Sequence, residues 1–138
     1  MSQDGRTEGF RGLVVWQKAQ AFALEVSRQT GKLPRTGNGA VMVNQLVRAA
    51  GSVPANIAEG YGRYSQGAYR NHLSIARGSL FESESWIDLM LKDGHLSNEV
   101  ATELLGRCHE LARLLTQRMR ALESGFRTRE DGPYYDAC

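Results

Sequence analysis

The sequence predicts an all-α fold: an up-and-down bundle of four helices, the second bent at Pro54. Three observations carry this. Four segments place apolar residues at i, i+3 and i+4 spacing. No stretch alternates apolar and polar residues as a half-buried strand would. The segments are separated by breaks marked with glycine, proline or a serine N-cap.

The first helix is expected from about Leu13 to Thr30. Val15, Trp16, Ala19, Phe22, Ala23 and Val26 share one face, with Lys18, Glu25, Arg28 and Gln29 opposite. The stretch TGKLPRTGNGA then breaks the pattern. Residues 1–9 are polar and glycine-containing and are expected to be a mobile segment. The bundle domain is expected over 10–124, with a flexible tail over 125–138.

The second helix poses the main question. RAAGSVPANIAEGYGR, from Arg48 to Arg63, holds a proline and three glycines. A nucleotide-binding loop would need a preceding strand and a third glycine of GxGxxG, where Ser65 stands; GxxxxGK[ST] is also absent. On a helix, Gln45, Arg48, Ser52, Asn56, Glu59 and Arg63 fall within a band of roughly 80°. Val43, Leu46, Val47, Ala50, Val53, Ile57 and Tyr61 fall on the far side. Both stripes keep phase across Pro54, so one helix from about Val41 to Tyr61 is predicted. Its proline removes a backbone bond to Ala50 and costs up to ~3 kcal/mol, with Gly51 and Ser52 placed to absorb a bend. The polar stripe is either a solvated face or a buried or interfacial network. In the network, Arg48 or Arg63 pairs with Glu59 or with Glu82 of the next helix, while Asn56 bonds a freed carbonyl. Buried charges require such partners.

Ser65 is a good N-cap for the third helix, which should stop near Asp93-Gly94. It has two apolar sides. Tyr69, Leu73, Ala76, Leu80, Ile87 and Leu91 form one. Ile75, Gly78, Ser79, Trp86 and Leu89 form the second, with Glu82 among them. A corner helix of a four-helix bundle needs one apolar stripe. The second side therefore packs either on a very close neighbouring helix or on another subunit, and Trp86 is the kind of anchor interfaces favour. Ser97 caps the fourth helix, whose stripe is Val100, Leu104, Cys108, Leu111, Leu115, Met119 and Leu122. Cys108 belongs to that stripe, so it is expected to be a packed thiol.

The 138-residue chain suits one domain with its own core. Its formal net charge of +2 permits an acidic partner without demanding one. Cys108 and Cys138 make no metal-type or redox spacing. With no secretory signal and no apolar run of membrane-spanning length, a soluble cytoplasmic protein is expected. No Glu-x-x-His pair of the di-metal carboxylate type occurs. His72, His95 and His109 sit in separate segments, and Glu82 and Glu84 point to different helix faces. No enzyme activity, metal or cofactor is expected.

The segments LVVWQKAQAFALEV, QLVRAAGSVPANIAEGYGR and YRNHLSIARGSLFESESWIDL resemble the four-helix bundle proteins encoded in 23S ribosomal RNA intervening sequences. That family includes the accessory variability proteins of diversity-generating retroelements. The similarity spans about Leu13 to Leu122. Its most specific parts are Trp16-Gln17-Lys18-Ala19, then Gln45, Arg48-Ala49-Ala50, Ser52, Asn56-Ile57-Ala58-Glu59-Gly60 and Arg63. Ile75-Ala76 and Gly78-Ser79-Leu80 follow, with Glu82 near the usual acidic position. The resemblance implies an up-and-down bundle, a ring of five subunits and no known enzymatic activity. The family's relatives in retroelements are strongly basic, bind nucleic acid and act beside a reverse transcriptase. At +2 this chain is less basic, so such a site would need arginines concentrated by the assembly. Arg63, Arg70, Arg77, Arg107, Arg113, Arg118 and Arg120 are the candidates. The leading expectation is an oligomeric scaffold or adaptor for RNA or DNA, with phosphates neutralised at fixed spacing. The alternative is a protein–protein interaction module without nucleic acid, with the tail as a docking segment.

Overall fold

The computed structural model describes residues 9–124; the segments expected to be mobile lie outside them, apart from Gly9. A 3-10 turn at Gly9–Gly12 leads into α1 (Val14–Thr30), α2 (Asn38–Tyr61), α3 (Gln66–Lys92) and α4 (Asn98–Glu123). Each helix packs on the next and α1 closes against α4. Short connections make neighbours antiparallel, which is the up-and-down bundle.

Local chemistry sets the boundaries. The Ser65 hydroxyl accepts the Ala68 N–H at 3.1 Å, and the Ser97 hydroxyl accepts the Val100 N–H at 3.2 Å. Each cap satisfies one otherwise orphaned donor of a first turn. Gly94 ends α3 at φ +81°, where the His95 N–H reaches back to the Met90 carbonyl at 2.8 Å. That is the left-handed stop glycine performs without strain.

Helix α2 runs unbroken through Pro54, which is itself buried. It starts three residues earlier than the apolar pattern indicated, because Asn38-Gly39-Ala40 form a first turn with no apolar marker. Along α2 the buried residues Leu46, Ala50, Val53 and Ile57 face Phe22 of α1, Leu73 and Leu80 of α3 and Leu104 and Leu111 of α4 in one core. Val47, expected on the apolar side, is 41% exposed and lies at that side's outer rim.

The α2–α3 contact is the most extensive in the bundle. At its lower end Gly60 lets the helices meet: a Cβ there would lie 2.6 Å from His72 Cβ and 3.2 Å from the Tyr69 carbonyl oxygen.

Cys108 is fully buried. Burial, and secondarily the Glu84 charge, push its thiol from an ordinary 9.0 up to about 12. The unfolded chain loses this proton near pH 9, while the folded chain holds it to about 12. The contribution is therefore complete below pH 9 and declines as pH rises through that window. The slope is about 1.4 kcal/mol per pH unit. Denaturant titrations between pH 9 and 11 should show a shallower fall for Cys108→Ala than for the parent.

Candidate functional site

The polar stripe of α2 meets a matching line on α3. Arg48 Nη2 donates to Glu82 Oε2 at 2.5 Å and to Gln45 Oε1 at 3.2 Å. The Trp86 indole N–H donates to the same Glu82 oxygen at 3.2 Å. One turn further, the Ser52 and Ser79 hydroxyls share a hydrogen bond of 2.9 Å. The Asn56 amide donates to both the Ser52 hydroxyl and the Ser52 carbonyl at 2.9 Å. Its own oxygen lies 3.3 Å from His72 Nδ1. His72 Nε2 stands 4.0 Å from Glu59, and Arg63 donates to Glu59 at 2.7 Å.

Two expectations change here. Asn56 bonds the Ser52 carbonyl rather than the carbonyl freed by Pro54, because i to i−4 is the reach of its short side chain along the helix. The charged members are not buried in the single chain: the Arg48 and Glu82 side chains are 60% and 40% exposed. Such pairs contribute at most about 1 kcal/mol each. Arg48, Glu59 and Arg63 are exposed, whereas the other members of the network are partly buried. His72, weighed in the sequence only as a metal ligand, was not placed in this network, although it lies seven residues before Ser79 and fourteen before Trp86 on one face.

The second side of α3 divides. Ser79 and Trp86 turn into the α2 seam, with Trp86 packed against the core. Ile75 and Leu89 stay outside, each 45% exposed. A Cβ added at Gly78 would meet nothing within 4 Å, so no helix of the chain approaches it.

The arginines also divide. Arg118, expected at the surface, is 9% exposed. It occupies the core-facing row Leu111, Leu115, Arg118, Leu122, with Met119 only partly buried beside it. Arg63 is held by Glu59 and Arg107 by Glu103 at 2.6 Å. Arg113 is exposed on α4. Arg70, Arg77 and Arg120 come together. They line a groove of about 530 Å³ between α3 and α4, with Asn71, Ser74, Thr116 and Glu123. Arg77 is fixed there: its Nε donates to Thr116 Oγ1 at 3.0 Å and its guanidinium lies 4.6 Å over the Phe81 ring. Glu84 points instead toward His109 at 3.3 Å, away from Glu82. Among the described residues, no cluster of three His, Cys, Asp or Glu is arranged to hold a metal ion, and no helix is long and apolar enough to cross a membrane.

Comparison with known proteins fits this architecture. A crystal structure of a protein of unknown function from the S23 ribosomal protein family of Bacteroides thetaiotaomicron superposes with a TM-score of 0.71 at 25% identity. The match covers 78% of this chain and 99% of that one. No curated protein matches the chain. Residues 11–117, which include the seam, Gly60 and Gly78, match the family described as 23S rRNA-intervening sequence protein. The chain belongs to the 23S rRNA-intervening sequence protein family.

Proposed function

We propose that the chain is a non-enzymatic, self-associating bundle that serves as a scaffold or adaptor. The observation that carries this is the outer face of α3. Ile75 is half-exposed one turn from Gly78, a helix glycine that no neighbour within the chain requires, and Leu89 is half-exposed about three turns further along the same face. Without a side chain, Gly78 lets a second subunit come close to that face. A closed ring needs two different faces, and the exposed Val14 and Leu24 of α1 offer the second. The family resemblance points to five subunits.

The seam supports a structural rather than a catalytic role. His72 contacts the Asn56 amide oxygen rather than a serine hydroxyl, so among the described residues neither seam serine, Ser52 or Ser79, is paired with a base. The Cys108 thiol, held near 12, is far from thiolate at neutral pH.

A nucleic-acid role is favoured by the α3–α4 groove, where three guanidinium groups face one carboxylate. Copies around a ring would repeat that charge at fixed spacing, giving affinity that falls steeply with salt. The alternative, a protein–protein module alone, predicts the same assembly with no binding at low salt. Light scattering over a range of concentrations tests the shared premise. A mass several times 15.3 kDa is expected, and five times that mass for the ring. A constant 15.3 kDa would refute self-association.

A further inference from the structure

We propose that Tyr64 and the α3–α4 groove form one track for single-stranded nucleic acid. An unstacked base lies on the Tyr64 ring and the following phosphates lie among Arg70, Arg77 and Arg120. The inference rests on the nucleic-acid part of the function proposed above and names the form of the ligand.

Tyr64 is 92% exposed, the most exposed large hydrophobic residue among the described ones. It sits on the connection between α2 and α3, three residues before Gly67, which lines the groove. A ring presented this far into water contributes little to the core. It offers a flat surface on which any base can stack.

The groove continues from that end. Arg70 lies one turn into α3, and Arg77 lies seven residues on, about 10 Å along the axis. Arg120 lines the opposite wall, one turn of α4 from Thr116, the residue that holds Arg77. The order along the track is therefore Tyr64, Arg70, Arg120, Arg77. Guanidinium groups spread over such a length suit successive phosphates of a chain better than one small anion. Among the described residues, Arg70 and Arg120 carry no ion pair, so their forks need not be released first. Arg77 is already oriented by Phe81 and Thr116, and its terminal nitrogens remain for phosphate. Asn71 and Ser74 add neutral donors on the same wall.

The exposed ring selects a single strand, because the bases of a duplex are already stacked on one another and cannot lie on it.

The test is fluorescence anisotropy with a labelled oligothymidylate and the duplex of the same length, across a salt series. Tyr64→Ala should weaken single-strand binding about tenfold, with the salt slope unchanged. Tyr64→Phe, which keeps the stacking face, should bind like the parent. Arg70→Gln with Arg120→Gln should lower the slope by between one and two. Full affinity in Tyr64→Ala, or a parent that binds the duplex as tightly as the single strand, would overturn the inference while leaving nucleic-acid binding standing. A parent that binds neither at low salt would overturn both.

Discussion

Gly60→Ala is expected to lower the stability of the bundle by about 2 kcal/mol, the range of an overpacked core. Helix propensity argues the other way, because alanine is favoured over glycine by roughly 0.8–1 kcal/mol. Geometry decides between them. The new methyl would meet His72 Cβ at 2.6 Å. That atom is fixed to the α3 backbone and cannot swing aside like the end of a long side chain. The helices must part, which loosens the packing of Tyr69 and strains the Asn56–His72 contact nearby. Gly106→Ala is the control. It lies inside α4 with nothing within 4 Å of the added carbon, so the propensity term acts alone and stability should rise by about 0.8 kcal/mol. Thermal unfolding at matched protein concentration should show the midpoint ~8 °C lower for Gly60→Ala. An unchanged or raised midpoint would mean that the α2–α3 crossing is not as close as described.

Ile75→Asp combined with Leu89→Asp is expected to reduce the proposed assembly to single 15.3 kDa chains. Both side chains are nearly half exposed in the single chain, so folding should lose no more than about 0.5 kcal/mol, as for ordinary surface substitutions. In an interface the same change removes apolar burial and leaves carboxylates in a dry contact. An unpaired buried charge costs about 3–5 kcal/mol, enough to shift a dissociation constant by roughly two to three and a half orders of magnitude. Light scattering with far-UV circular dichroism separates the outcomes. Lost mass with retained helicity supports the α3 face as the contact. Unchanged mass would exclude that face.

What could be read from the sequence was local. Ser65, Ser97 and Gly94 mark helix ends through bonds made within a few residues, and the structure places those ends as expected. The phase of the two α2 stripes across Pro54 revealed a continuous helix, since side chains 3.6 residues apart per turn carry their own direction. What was hidden depends on how one helix slides against another. Nothing near Arg70 in the chain says that Arg120 will stand across from it, and nothing near Asn56 says that His72 will. Arg118 was misread for a subtler reason. It and Met119 lie 100° apart at the edge of the α4 stripe, and the long aliphatic stem of arginine can serve as apolar cover. Tyr64 carried no periodic signal at all, being on a connection.

The chain of hydrogen bonds between α2 and α3 gives the molecule an uneven mechanical character. Sliding either helix by one turn would unpair Glu82, Ser79 and His72 together, so these two helices move as a single lath. Helix α1 meets α4 over less surface than any other adjacent helices, with Lys18 and Glu110 bridging at 3.1 Å. The bundle is built like a book whose spine is α2–α3 and whose covers are α1 and α4. Backbone amides of the spine should exchange with heavy water last, and those of α1 first.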